Sequence, residues 1–166
     1  LKSLRGRVVD PDGRSVAGAE VSAGIGSGES AQTRTDSAGR FLMESLSAEE
    51  LWLKVESPHF ARHFTSRVAL HDATTEFEIR LERGRIIVVE IVDESGALLR
   101  DARVSASTLD GAHHWTADAQ PSGQFRFRPL PLAPLRVAAK VHVRTYTREI
   151  GDHEESVRFV VPTPGQ

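Results

Sequence analysis

The 166-residue chain has no cysteine. That excludes a disulfide framework, a thiolate zinc site and a thiol nucleophile, and several enzyme classes with them. No apolar run approaches the roughly 20 residues that cross a bilayer as a helix, so no membrane span is expected. An excess of charge is lacking too. With 21 Lys and Arg against 23 Asp and Glu, the formal net charge is -2, and no global field draws the chain to nucleic acid. The composition that remains, 39% hydrophobic and 27% charged, is globular rather than disordered. Leu1 opens without a signal-peptide pattern and "PTPGQ" at the other end is linker-like. The sequence therefore reads as a piece of a longer polypeptide whose targeting information lies elsewhere.

The chain repeats itself. Val9, Asp10, Gly13, Ala19, Val21, Ser22 and Ala23 match Val92, Asp93, Gly96, Ala102, Val104, Ser105 and Ala106 at a constant offset of 83 residues. Gly39 and Phe41 then match Gly123 and Phe125 at an offset of 84. "EFEIRL" and "SVRFVV" close the two halves with the same alternation. Two copies of one unit account for this, 1–84 and 85–166, joined at Gly84 with almost no linker.

Inside each unit the signals are short strands, such as the alternation of Leu51, Leu53 and Val55, broken by clusters of Gly, Pro, Asp and Ser. "SLSAEELWLKV" holds the one candidate helical turn, over Ser47 to Glu50. Half-apolar sheets without helices must cover one another, which predicts an all-β chain of two tandem antiparallel β-sandwiches.

"GRVVDPDGRSVAGAEV", "TRTDSAGRFLMESL" and "LWLKVESPHF" resemble the carboxypeptidase regulatory-like domain over residues 5 to 83. The resemblance implies a transthyretin-like Greek-key β-sandwich that is non-catalytic and serves as a structural or interaction module, often in bacterial envelope proteins, receptors and peptidases. The second unit resembles the family through "VDESG" and "SGQFRF", with Arg100 and Asp101 where the first has Ala17 and Gly18.

Candidate chemistry is sparse, and no cofactor set or catalytic set is expected. Asp10 and Asp12 invite a calcium reading, but an EF-hand loop counted from Asp10 needs a bidentate Glu where Val21 stands. The second copy keeps Asp93 and Gly96 but puts Ser95 in place of Asp12, so Asp10, Gly13, Asp93 and Gly96 read as structural turns. His59 and His63 have helical spacing without a helix, His113 and His114 are neighbours that would face opposite ways, and no third ligand completes a metal site. "GIGSG" lacks both the Walker lysine and the third glycine of a dinucleotide fingerprint, and reads as a strand connection.

Two surface features stand out. In "LRVAAKVHVRTYTR", read as one continuous strand, Arg136, Lys140, His142, Arg144, Tyr146 and Arg148 share a face, with Val137, Val141 and Val143 toward the core. Paired as a hairpin with "FRFR", which adds Arg126 and Arg128, this becomes a basic stripe for an anionic polysaccharide, a lipid head group or an acidic protein surface. Trp52 and Trp115 fall where no core aromatic is demanded and are the candidates for an exposed contact or a sugar platform. "RIIVVEIV" is apolar at nearly every position, so both faces of Ile86 to Val89 are expected to be covered. The function expected is a semi-rigid spacer or protein-binding unit of a bacterial envelope, periplasmic or extracellular protein, with neighbouring domains or another protein as partners. The alternatives are a carbohydrate-binding module built on the tryptophans and an accessory domain of a peptidase or glycosidase.

Overall fold

The computed structural model describes residues 1–71 and 74–162, with the backbone alone at Ser30, so "PTPGQ" beyond Pro162 lies outside the described residues. Every regular element among them is a strand, and Ser47 to Glu50 forms a bend leading into a strand rather than a helical turn. The chain divides into two compact units, Leu1–Arg83 and Gly84–Gln166. Gly84, expected to close the first unit, opens the second.

In the first unit, β1 (Lys2–Val9), β4 (Arg40–Leu46) and β7 (Thr74–Arg80) form a sheet of order β4-β1-β7. Its partner sheet has the order β3-β2-β5-β6, built from β2 (Glu20–Ile25), β3 (Gly28–Arg34), β5 (Glu50–Ser57) and β6 (Phe60–Ala69). Alternation decides the faces. Leu51, Leu53 and Val55 of β5 are buried while the alternate residues Trp52, Lys54 and Glu56 are not. The core draws Leu4, Val8, Phe41 and Ile79 from one sheet and Val21, Leu53, Val55 and Val68 from the other. Each such side chain contributes roughly 1.5–3 kcal/mol on burial, so the two half-apolar sheets stabilise each other as a sandwich. One pairing departs from the antiparallel expectation: β1 runs parallel to β7. A whole sandwich of chain separates the two strands, ample for the crossover that parallel neighbours need.

The second unit's two main sheets follow the same plan. β9 (Val88–Asp93), β12 (Asp118–Ala119), β13 (Phe125–Arg126) and β17 (Ser156–Val161) give the order β12-β13-β9-β17, with β17 parallel to β9. β10 (Ala102–Thr108), β11 (His114–Thr116), β15 (Leu135–Val141) and β16 (Arg144–Ile150) give β11-β10-β15-β16. A short pair joins β8 (Gly84–Arg85), just before β9 in the chain, to β14 (Leu130–Pro131). In "RIIVVEIV" the positions alternate from Arg85 to Ile91, and Val92 is buried as well. Ile87, Val89 and Ile91 lie in the second unit's core, while Ile86, Val88 and Glu90 are half-buried.

A buried cation ties this unit's loops together. Arg85, 4% exposed, donates from its guanidinium to the carbonyls of Ala133 at 2.8 Å, Glu154 at 2.9 Å and Gly151. Burial pushes its pKa down, and the acids Asp152, Glu154 and Glu155 oppose that shift. Lys2, at the matching position of the first unit, donates to the Leu70 carbonyl at 2.7 Å.

The strand connections share one device. In Asp10-Pro11-Asp12-Gly13-Arg14 the Asp10 carboxylate accepts from the Asp12 and Arg14 amides at 2.9 Å, the Gly13 amide donates to the Asp10 carbonyl at 3.0 Å, and Gly13 has φ +82°. Asp93-Glu94-Ser95-Gly96-Ala97 repeats every bond, and adds the Ser95 hydroxyl to the Asp93 carboxylate at 2.6 Å. Asp36 through Arg40 is a third copy that sequence reasoning missed, although "DSAGR" carries the same Asp and Gly spacing. Gln120 through Gln124 keeps only the backbone bonds.

Two predictions follow from these loops. A Cβ at Gly13 would meet nothing within 4 Å, whereas at Gly39 (φ +74°) it would stand 2.6 Å from the Val8 carbonyl oxygen. Gly13→Ala should therefore cost about 1 kcal/mol, for the left-handed backbone alone, and Gly39→Ala roughly 3 kcal/mol, for backbone strain plus overpacking. Urea denaturation of the two variants compares them, and equal costs would contradict the crowding. The second prediction concerns acid. The Ser95 hydroxyl, then the Ala97 and Ser95 amides, hold the Asp93 carboxyl below its ordinary value. A carboxyl depressed by folding contributes stability that is present above its unfolded value, about 3.9, and is lost as the pH falls through the lower folded value. Asp93→Ala should thus be less stable than the parent above about pH 5 and converge on it toward about pH 2. A deficit that stays constant across that range would show that the carboxylate's charge plays no part.

Candidate interaction surfaces

Trp52 stands on the outer face of β5 with Gly24 of β2 as its cross-strand partner. A Cβ on Gly24 would come within 2.5 Å of the indole, so the ring lies down on the glycine. The indole N–H donates to the Gly26 carbonyl at 2.9 Å, and Phe64, 42% exposed, stacks beside the ring at 6.1 Å. The ring is thus half-buried and fixed flat against the sheet. "GIGSG" serves this hairpin, with Ile25 paired to Gly28 and Gly26 at φ +58°.

Trp115 differs from the outward position expected of it. On β11 it is paired with Ala106, which is buried. Cross-strand partners share a face, so the ring turns inward and packs on the second unit's core, tilted against His113. A tryptophan pair presented to a sugar is therefore not what this chain carries.

The single basic stripe is also not formed. Instead of one continuous strand, residues 135–150 make a hairpin, β15 and β16, that turns at His142 and Val143, with Val141 opposite Arg144 and Arg136 opposite Glu149. Such a two-residue turn pairs positions of opposite parity, so residues of one parity on the two strands come to opposite faces. Arg136 and Lys140 stay on the outer face. Arg144, Tyr146 and Arg148 share the face of Val137 and Val141, extending past the core because β16 is an edge strand. Val143, expected inside, sits in the turn at 92% exposure, and His142 has φ +53°. Arg126 belongs to the other sheet, and Arg128 follows it as an exposed residue, so "FRFR" does not pair with β15. Two of the cations are already matched, Arg136 with Glu149 at 2.8 Å and Arg148 with Glu154 at 3.0 Å.

Among the described residues, no group of three or more His, Cys, Asp or Glu is placed to hold a metal ion. His63 lies on β6 with its Nε2 2.8 Å from the Thr65 hydroxyl, and burial lowers its pKa while Glu82 opposes the shift. An open trough on the outer face of β4-β1-β7, lined by Arg5, Arg7, Arg40, Glu76 and Glu78, has its charges largely matched: Arg5 with Glu76, Arg40 with Asp36, and Arg80 with Glu78. No helix of the described residues is long and apolar enough to cross a membrane.

No curated protein matches the chain. Among solved structures, the Bacillus anthracis TIE protein is similar at 15% identity and TM-score 0.43, over 97% of this chain and 33% of that one. The shaft pilin SpaA from Lactobacillus rhamnosus GG, as its D295N mutant, is similar at 9% identity and TM-score 0.45, over 99% and 98% of the two chains. A putative carbohydrate binding protein from Bacteroides uniformis is similar at 10% identity and TM-score 0.43, over 90% and 98%. The chain thus spans a third of the TIE protein's length, and 62% of a streptococcal ancillary pilin's. The family model of the carboxypeptidase regulatory-like domain matches residues 3–82, and the first unit, a sandwich over those residues, is a carboxypeptidase regulatory-like domain.

Proposed function

We propose that the chain is a non-catalytic spacer within a larger envelope or extracellular protein, holding a neighbouring domain or partner at a restricted distance. The second unit serves in it as a divergent module of the same type as the first. The observation that carries this reading is the missing linker. Arg83 is bridged to Phe60 in the first unit, and the very next residue, Gly84, is already in β8 of the second. Free hinges are longer and richer in Gly or Ser, and no such segment separates the two units along the chain. The corresponding strand orders, β4-β1-β7 against β13-β9-β17 and β3-β2-β5-β6 against β11-β10-β15-β16, support the second unit as a module of the same type. Surface contact, not turnover, is the activity such a module supplies.

NMR relaxation tests this. Residues 5–83 and 86–161 should share one rotational correlation time, and inserting a flexible Gly-Ser segment between Arg83 and Gly84 should split it into two. Two distinct times in the parent chain would overturn the spacer reading.

A further inference from the structure

The outer face of the β11-β10-β15-β16 sheet carries an electrostatic conflict that the first unit relieves and the second does not. Arg103 on β10 stands directly opposite Lys140 on β15, and both are exposed. Like charges across a strand pair destabilise it. The matching positions of the first unit are Glu20 on β2 and Glu56 on β5, again directly opposite each other. There the repulsion is relieved internally, by Arg34 on Glu20 at 3.0 Å and Lys54 on Glu56 at 3.3 Å.

The counterparts of Arg34 and Lys54 in the second unit are Asp118 and Ala138. Asp118 is drawn away into β12, in register with Arg126, and Ala138 has no charge to offer. Among the described residues, neither Arg103 nor Lys140 forms an ion pair or side-chain hydrogen bond, even though Asp101 precedes Arg103 by two positions.

We propose that the missing acid comes from outside, and that this face binds a polysaccharide bearing carboxylates, with Arg103 and Lys140 together holding one uronate carboxylate. Charge-assisted hydrogen bonds from two neighbouring cations suit a planar oxyanion. The rest of the face decides the class of partner. Beside the cation pair, Thr116, Ser105, Ala138 and Thr147 lie in one row across the four strands, in register. That floor spans about 14 Å, three inter-strand steps of about 4.8 Å. It offers three hydroxyls and no large side chain. A protein partner would want an aromatic or other large anchor there, and a bilayer would want an apolar stripe. The lone exposed Val143 at the hairpin tip supplies neither. Hydroxyls and cations on an open floor are matched by sugar hydroxyls and carboxylates. This inference goes beyond the spacer reading and stands or falls separately from it.

The test uses the whole chain in low salt with immobilised polygalacturonate as the probe, neutral dextran as the uncharged control and phosphatidylglycerol vesicles as the lipid arm. Retention on polygalacturonate alone, weakening as salt is added, is expected. Ala138→Glu gives the second unit an internal partner like the one Lys54 provides in the first. It should keep the fold, leave the melting temperature unchanged or raised, and weaken retention about tenfold. The double variant Arg103→Ser, Lys140→Ser should weaken it likewise. No retention of the parent chain, retention that neither variant weakens, or equal binding to the vesicles would overturn the proposal.

Discussion

Register is the constraint on which the rest of this structure depends. A strand that slips by one residue carries its whole apolar set from the core to water, and each sheet here is apolar on one face only. The Asp-x-x-Gly loops guard against that slip. Where Asp10 accepts from the amides of Asp12 and Arg14, the chain reverses at a set place, and the Val16 amide then reaches the Val8 carbonyl at 3.0 Å. In the second unit the Asp93 loop brings the Leu99 amide to the Ile91 carbonyl in the same way, at 2.8 Å. The Asp36 loop meets β1 from the other side, its Gly39 carbonyl taking the Val8 amide at 2.7 Å. The acidic turns are structural for this reason, and their carboxylates are already engaged by backbone donors.

Much of the fold was legible because it is written in short-range chemistry. Period-two alternation marked β5, and the Asp and Gly spacing marked the turns at Asp10 and Asp93. The misreadings have one physical source: faces depend on what lies across the strand, and a linear reading does not contain that. Parity along "LRVAAKVHVRTYTR" assumed a single strand, and the turn at His142 and Val143 reversed the meaning of parity beyond it. Trp115 looked unplaced until Ala106 appeared opposite it. The buried Arg85 was invisible for the opposite reason. Nothing in "GRII" announces that three carbonyls distant in sequence will converge on one guanidinium.

That guanidinium shows how the second unit closes off its interior. Taking a cation from water is costly unless its donors are satisfied, and carbonyls at loop ends have the matching need for donors. Arg85 meets much of both needs through its two terminal nitrogens, joining the Ala133 loop to the Gly151 and Glu154 loop, while its Nε is left buried without a partner. Lys2 does less with one bond to Leu70. Positions that match along the chain can therefore keep a role, a cation donating to a loop carbonyl, while changing its reach.

The outer faces obey a looser rule, and there the two units part. A core position must be apolar and of about the right size, so Val21 and Val104, or Leu53 and Val137, can differ little. An outer position must only avoid unrelieved conflict. Glu20 with Glu56 meets that condition through Arg34 and Lys54, and Arg103 with Lys140 does not meet it within the described residues. Stability alone gives no reason to keep two unmatched cations face to face beside a row of small side chains, since Ala138 is one substitution from an internal partner. An exposed pair costs little, on the order of 1 kcal/mol or less, and an incoming carboxylate would recover that cost on binding. The departure from charge balance is therefore where this scaffold is best read for what it meets, and the matched charges of the first unit are where it is best read for what holds it up.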